Sequence, residues 1–174
     1  SEMCIRDRIH SLHNPGPTDW GLFKSTSWEV LPMEQGTIVS LHIARVKGTP
    51  SDPVKEATAI SAAGLEGDRS CNPENTRQVL IMDKETLDKF GLEPGQIKEN
   101  ITTTGIDLSG VQNGNVFFIG DNVTMEAVGD CEPCGKMDAI RPGLRDELDG
   151  QRGILTVVIN GGDINIGDSI RIEP

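Results

Sequence analysis

The chain has 174 residues and a formal net charge of −11, and 36% of its residues are hydrophobic but only 3% aromatic. So acidic a chain does not suit nucleic-acid binding, which needs a surplus of Lys and Arg, and any anionic ligand would require a local basic pocket. We expect one reduced, cytoplasmic domain without membrane contact. No run approaches the roughly 20 apolar residues that cross a bilayer, the start lacks a signal-peptide core, and four unevenly spaced cysteines form no disulfide framework.

The first 32 residues differ from the rest of the chain: they have no sustained hydrophobic period, contain both Trp residues and include the turn-forming NPGP. Their opening octapeptide, SEMCIRDR, resembles one reading frame of a transposase end sequence used in sequencing adapters. We interpret it as an assembly artefact, with Met33 as the native start. This divides the chain into a disordered or artefactual extension, 1–32, and a domain, 33–174. A genuine N-terminal arm is the alternative, and in either case Cys4 carries no function.

From Met33 on, short strand-like runs alternate with turn signals. Residues 37–46 predict a strand whose outward positions, by a period of two, include Ser40, His42 and Arg45. Residues 54–63 are ambiguous between strand and helix. Further strands are predicted at 77–82, 97–104, 116–119, 122–128, 153–159 and 170–172.

Two segments predict helices. Residues 83–90 predict a helix in which Asp83 caps the first turn, Leu87 faces the core and Gly91 ends the helix. Residues 142–148 predict one or two helical turns.

Turn signals join several of these strands. Gly120-Asp121 favours a hairpin, and the Gly-Asp turns of NGGDINIGDSIRI favour a closing hairpin at the end of the chain. Many short strands, one clear helix and Gly-rich turns predict a mainly β fold, a barrel with a few short helices.

The stretch GDCEPCGKM holds Cys131 and Cys134, a spacing that suits several kinds of chemistry. A structural zinc site needs four ligands, and here the remaining cysteines and histidines are scattered. A thioredoxin-like redox pair needs a following helix, which Gly135 and Pro142 disfavour. In the third interpretation, both cysteines are half-buried residues with a structural role.

A fourth interpretation is a single working thiol, Cys134, in a cleft. Nearby cations stabilise a thiolate, which is a strong nucleophile and a soft metal ligand, and Lys136 and Arg141 are the local candidates. Cys131 would then resolve a persulfide or sulfenate at Cys134, or have no role.

Two further blocks carry polar candidates. In GLEGDR, the glycines permit a tight turn, Asp68 can brace it through backbone hydrogen bonds, and Arg69 offers a fork for phosphate or carboxylate. In ENITTTG, Glu99 and Asn100 offer an acceptor and an amide at a strand start. A solvated turn and a polar edge strand are the alternatives. No Ser-His-Asp set can be argued, since His42 is the only histidine after Met33.

The order of these blocks resembles the MOSC domain family, named for the C-terminal domain of molybdenum-cofactor sulfurases. The resemblance covers about residues 35–173, and the run of ENITTTGIDL, then IG, then PC is its most specific part. The matching pieces are GLEGDR, RQVLIMDKE, GLEPGQIKENITTTGIDLSGVQNG, FIGDNVTMEAVGDCEPCGKM and GGDINIGDSIRI.

The resemblance implies a β-barrel and one motif cysteine, Cys134. In the family this cysteine is proposed to carry sulfur as a persulfide, received from a pyridoxal-phosphate-dependent cysteine desulfurase. In other members it ligates the molybdenum of a pterin cofactor, and those members reduce N-hydroxylated compounds. A desulfurase or a molybdoenzyme maturation protein is therefore the expected partner, and pyridoxal phosphate belongs to that partner.

The pterin cofactor ends in a phosphate, so the resemblance also implies basic and amide groups around Cys134. Glu99 stands where some members carry Arg, which argues against tight cofactor binding. The chain also lacks the additional domains of the reductase members, which favours a carrier or cofactor-binding module. The implied cofactor-binding residues are Asp68, Arg69, Arg77, Asn100, Thr102 and Arg152.

Two other functions stay open from the residues alone. The first is a non-catalytic β-barrel binding module whose cysteines are structural. The second is a redox switch through a Cys131–Cys134 disulfide. Replacing Cys134 by Ser distinguishes these functions from a sulfur carrier, because a binding module would keep its ligand binding.

Overall fold

The computed structural model describes residues 35–173. The interpretation of residues 1–32, the start at Met33 and the role of Cys4 lie outside the described residues. The strands are β1 Gln35–Ile43, β2 Asp52–Val54, β3 Glu56–Ile60, β4 Gly64–Leu65, β5 Val79–Asp83, β6 Ile101–Thr104, β7 Val116–Ile119, β8 Val123–Asp130, β9 Ile154–Asn160, β10 Gly162–Asn165 and β11 Ser169–Glu173. The helices are α1 Lys84–Lys89, α2 Lys136–Ile140 and α3 Leu144–Glu147.

Seven strands form a closed barrel in the order β11-β7-β8-β9-β5-β6-β1, because β1 also pairs with β11. The pairs around this ring are antiparallel except β5 with β6, which are parallel. A parallel pair needs a crossover connection, and the segment containing α1 supplies it. Strand β2 extends the barrel from β1, and β10, β3 and β4 form a separate three-stranded sheet. The predicted mainly β barrel with short helices is confirmed.

The barrel interior is filled by aliphatic side chains with Phe117 among them, as a composition poor in aromatic residues requires. A second apolar cluster, which includes Leu87, Met137 and Leu144, packs the three helices against one side of the barrel. Among the described residues, the helices are too short and too polar for any of them to cross a membrane.

Helix α1 forms where the sequence predicts it. The carboxylate of Asp83 accepts a hydrogen bond from the backbone N–H of Thr86 at 2.7 Å, and Leu87 is fully buried. Gly91 has a φ of +66°, the left-handed conformation that ends many helices. The hairpin at Gly120-Asp121 is also confirmed, since β7 and β8 pair in antiparallel register.

His42 lies on the face of β1 that points away from the barrel interior, as predicted, since its neighbours Leu41 and Ile43 belong to the barrel core. It is nevertheless buried, because the segment containing Gly95 covers that face, and the His42 ring occupies the space where a side chain at Gly95 would project. The prediction of a C-terminal hairpin is wrong, because β10 pairs with β3 while β11 pairs with β7 and β1.

Candidate functional site

A cleft of about 280 Å³ lies beside the cysteine loop that follows β8. Both Cys131 and Cys134 line it. Five basic side chains share the lining, and among the described residues that form it none is Asp or Glu; the five are Arg69, Arg77, Lys98, Lys136 and Arg152. The cleft therefore gathers positive charge in a chain whose net charge is −11.

These five cations are available to an anion. Within residues 35–173, none of them forms a salt bridge. A concave site with one sign of charge and low-dielectric walls focuses its field and raises the local concentration of oppositely charged ligands. The charge of the lining therefore suits an anionic group.

Asp68 and Asn100 support this cleft from beneath. One carboxylate oxygen of Asp68 accepts from the Ala44 N–H at 2.7 Å and from the Asn100 amide at 2.9 Å, and the other accepts from the Ser70 N–H at 2.8 Å. The Asn100 amide also donates to the His42 carbonyl at 3.1 Å, and its oxygen accepts from the Leu80 N–H at 3.1 Å. Asp68 thus braces the GLEGDR turn as predicted.

The same network limits what Asn100 can offer a ligand. Although Asn100 lines the cleft, both hydrogens of its amide are already donated. Asp68 is buried outside the lining, and Thr102 is fully buried, with its hydroxyl 3.4 Å from Glu99 Oε1. The structure places Asp68 and Thr102 behind the cleft surface and brings Arg69, Arg77, Asn100 and Arg152 to it.

The arginine at position 152 is buried with no carboxylate partner among the described residues. Its Nη1 donates to Cys131 Sγ at 3.0 Å and to the Glu132 carbonyl at 2.9 Å, and its Nη2 donates to the Ile97 carbonyl at 3.0 Å. Its Nε is buried without a hydrogen-bond partner in residues 35–173. Arg152 therefore brings a positive charge to the cleft while only 9% exposed, and its unpaired Nε lies away from solvent.

Strand pairing explains why Cys131 meets Arg152. The β8–β9 ladder ends at Asp130 opposite Ile154, so both residues lie just beyond paired strand ends, and the Cys131 N–H donates to the Gly153 carbonyl at 3.0 Å. Gly153 is required here, because a Cβ would lie 2.3 Å from the Ile81 carbonyl oxygen.

Cys134 occupies the outer part of the same loop. It is exposed, and its carbonyl accepts from the Met137 N–H at 2.9 Å at the start of α2, a helix that the sequence did not predict. Among the described residues, the guanidinium hydrogen bonds to sulfur go to Cys131, with Arg77 Nη2 also 3.8 Å from its Sγ. Arg141, predicted as a local cation, instead pairs with Glu147 at 2.7 Å and does not line the cleft.

Glu99 lies behind Lys98 and is fully buried. One carboxylate oxygen accepts from the Gly95 N–H, while Oε2 has no partner among the described residues. Burial raises the pKa of the Glu99 carboxyl. Lys98, which sequence reasoning missed, reaches the cleft from a left-handed conformation with a φ of +72°, and its Nζ donates to the Thr49 carbonyl at 2.6 Å.

Metal-binding groups are sparse. Within residues 35–173 no three Cys, His, Asp or Glu side chains cluster closely enough to hold a metal ion. A metal in the cleft would have to arrive with most of its ligands already in place. Cys71 lies outside the lining, and burial together with the nearby Asp68 and Glu66 carboxylates raises its pKa.

Comparisons with known proteins bear on the family and the fold of the chain. The sequence profile of the MOSC domain matches residues 67–171, more than half of the chain. The chain belongs to the MOSC domain family. Among curated protein sequences, nothing matches it significantly.

Solved structures share the MOSC fold of this chain. The YuaD protein from Bacillus subtilis superposes with a TM-score of 0.68 at 20% identity, covering 79% of this chain and 95% of that one. YiiM from Geobacillus stearothermophilus gives 0.62 at 19% identity, covering 80% of this chain and 75% of that one. YiiM from Escherichia coli gives 0.60 at 19% identity, covering 82% and 71%.

Proposed function

We propose that this MOSC domain handles sulfur and an anionic molybdenum cofactor at one site, with Cys134 as its working thiol. Cys134 accepts sulfane sulfur as a persulfide, or serves as a thiolate ligand to molybdenum. The surrounding cations hold the anionic part of the bound group. The observation that supports this most directly is the meeting of an exposed thiol with five basic side chains in one cleft.

The residues present fit a phosphate-bearing cofactor. Arg69, Arg77 and Lys98 would hold its phosphate, and Arg152 adds a further positive charge to the lining. Cys134 would supply the one protein thiolate that a metal carrying its own organic ligands still needs. When bound, the molybdenum centre would supply two-electron chemistry toward N-hydroxylated compounds.

The position of Cys134 fits sulfur uptake from another protein. Its side chain is exposed in a loop, so a persulfide-bearing donor can reach it. Thiolate attack on the outer sulfur of the donor persulfide forms the new S–S bond and returns the donor cysteine as a thiolate. Basic side chains beside the loop stabilise the anionic sulfur before and after transfer. The donor we propose is a pyridoxal-phosphate-dependent cysteine desulfurase.

Sulfur loading tests this function. The purified protein is incubated with a cysteine desulfurase and free cysteine, and intact-protein and peptide mass spectrometry locate any added sulfur. We expect the wild-type protein to gain one sulfur at Cys134 and Cys134→Ser to gain none there. Cys71→Ser is the matched control, since Cys71 lies outside the lining, and it should load like the wild type.

Cofactor binding is tested separately by the pterin and molybdenum content of protein purified from cells that make the cofactor. Arg69→Ala with Arg77→Ala should lower that content. Arg145→Ala, at an exposed position outside this cleft, is the control. Protein that neither loads sulfur at Cys134 nor retains pterin would contradict the proposal and favour a non-catalytic binding module.

A further inference from the structure

We propose that Cys131 is a second sulfur-handling residue: it reduces a persulfide on Cys134 and releases the outer sulfur into the cleft as hydrosulfide. Cys131 acts only after Cys134 has taken up sulfur, so the proposal rests on the proposed function and adds the step that discharges it. The two residues have different surroundings. Cys134 is exposed, whereas Cys131 is 4% exposed and held by arginine.

The contact between Cys131 and Arg152 carries the proposal. A guanidinium has no acceptor atom, so at 3.0 Å the Cys131 sulfur must accept the hydrogen bond from Arg152 Nη1. Arg77 Nη2 approaches the same sulfur at 3.8 Å. A neutral thiol is a weak acceptor, but a thiolate would form a charge-assisted bond.

Arg152 supplies an independent observation that the site is built for an anion. A buried cation without a counter-charge is costly, because hydrogen bonds to neutral groups offset only part of its lost hydration. Arg152 is 9% exposed, its Nε has no hydrogen-bond partner in residues 35–173, and no carboxylate lies in the lining. The anions that can offset its burial are the Cys131 thiolate and a hydrosulfide or other anionic group held in the cleft.

The chemistry needs both cysteines in one loop. Only Glu132 and Pro133 separate them, and both cysteines line the same cleft, a spacing used by exchanging thiol pairs. The Cys131 thiolate attacks Sγ of the Cys134 persulfide. The reacting persulfide is its protonated form, –S–SH: a Cys131–Cys134 disulfide bond forms, the bond from Cys134 Sγ to the outer sulfur breaks, and the outer sulfur leaves with the electron pair and its own proton as hydrosulfide.

This step also supplies electrons that a sulfur carrier lacks. The outer sulfur of a persulfide is at the oxidation level of elemental sulfur, whereas a sulfide ligand on a metal is two electrons more reduced. The two thiols provide those electrons when they become a disulfide. An external dithiol reductant then returns both to thiols for another cycle. The cations of the cleft retain the released hydrosulfide beside an anionic ligand.

A single-turnover experiment tests the proposal. The wild-type protein, Cys131→Ser, Cys131→Ala and the control Cys71→Ser are loaded by a cysteine desulfurase, separated from it and held without reductant. Released hydrosulfide is trapped with a bimane reagent and quantified, and mass spectrometry identifies the state of both cysteines. Arg152→Met is included as a positioning variant.

We expect the wild type and Cys71→Ser to release one hydrosulfide per loaded sulfur and to end with a Cys131–Cys134 disulfide. The Cys131 variants should load sulfur at Cys134 but keep it there, with release slower by at least about tenfold. Their loading also shows that they are folded. Arg152→Met should release more slowly per loaded sulfur and still form the disulfide.

Three outcomes would overturn the proposal while leaving the proposed function intact. They are a wild-type persulfide that persists without a disulfide, equal hydrosulfide release from the wild type and the Cys131 variants, and sulfane sulfur recovered on Cys131. Absence of sulfur at Cys134 in every protein is a different result. It removes the proposed sulfur-carrier function, and the role of Cys131 with it.

Discussion

The cleft has two walls that bury polar groups in different ways. In the Asp68 wall, formed by Asp68 and Asn100, the carboxylate accepts three hydrogen bonds, and both hydrogens and the oxygen of the Asn100 amide are paired. In the Arg152 wall, formed by Arg152 and Cys131, a buried guanidinium donates hydrogen bonds to two carbonyls and one thiol sulfur. Its Nε has no partner among the described residues.

This difference distinguishes a wall that supports the cleft from a wall that takes part in its chemistry. A fully paired buried network rigidifies the structure and has nothing left to give a ligand. A buried cation without a counter-charge is costly, and an anion bound beside it offsets that cost. We therefore infer that the Asp68 wall positions the cleft, while the Arg152 wall acts on what the cleft binds.

The largest expected effect on folding stability is that of Asp68→Ala. The substitution leaves three donors, the Ala44 and Ser70 N–H groups and the Asn100 amide, without their acceptor. Each unsatisfied buried group costs about 1–3 kcal/mol, so we expect a loss of about 4 kcal/mol in the free energy of unfolding. Urea denaturation followed by circular dichroism measures it.

Asp146→Ala is the control for that measurement, because Asp146 is exposed on α3. It should change the free energy of unfolding by less than about 0.5 kcal/mol. An equally small loss for Asp68→Ala would show that the Asp68 wall is not the scaffold of the cleft.

Glu99 tests whether an unpaired buried atom always signals chemistry. Its Oε2 has no hydrogen-bond partner in residues 35–173. Because Glu99 does not line the cleft, we expect this unpaired oxygen to affect folding stability and not ligand binding. Burial raises the pKa of its carboxyl in the folded protein. The folded state therefore holds a proton that the unfolded chain releases above its usual pKa of about 4.3.

The sign of the pH dependence follows. The contribution of Glu99 to stability is complete below the unfolded pKa and is lost as the pH rises through the raised folded pKa. Glu99→Gln has no proton to lose, so its unfolding free energy relative to wild type should increase with pH over this window, by at most about 1.4 kcal/mol per pH unit. Denaturation at pH 5, 6.5 and 8 measures this. A pH-independent difference would mean that Glu99 does not titrate with folding.

Much of the fold can be predicted from local sequence signals. Asp83 and Leu87 specify α1, and Gly120-Asp121 specifies a hairpin, because a cap, a buried apolar position and a turn each act within a few residues. The ordered MOSC motifs also predicted which segments meet: Arg69, Arg77 and Arg152 line one cleft with Cys134. The roles of these residues stay predictions.

The remaining features depend on contacts that no local pattern records. The segment containing Gly95 covers His42 on the outer face of β1, and the left-handed backbone of Lys98 turns a residue beside Glu99 toward the cleft. The Cys131–Arg152 contact joins residues 21 positions apart through the register of β8 and β9. A one-residue change of register would separate them, and spacing along the chain does not reveal it.

Among the substitutions of buried residues, Arg152→Met has the smallest expected effect on stability and is the sharpest test of the two walls. It removes the hydrogen bonds to the Ile97 and Glu132 carbonyls but also removes a buried cation without a carboxylate partner among the described residues. These effects oppose each other, so the free energy of unfolding should change by less than about 1 kcal/mol.

The effect of Arg152→Met on anion binding should be larger. We expect the affinity for inorganic phosphate to fall about tenfold, measured as the phosphate-dependent rise in the unfolding midpoint. Arg145→Met, exposed and outside this cleft, should leave that rise unchanged. If Arg152→Met were as destabilising as Asp68→Ala yet bound phosphate normally, both walls would be structural, and the anion would have to be held by Arg69, Arg77 and the two lysines alone.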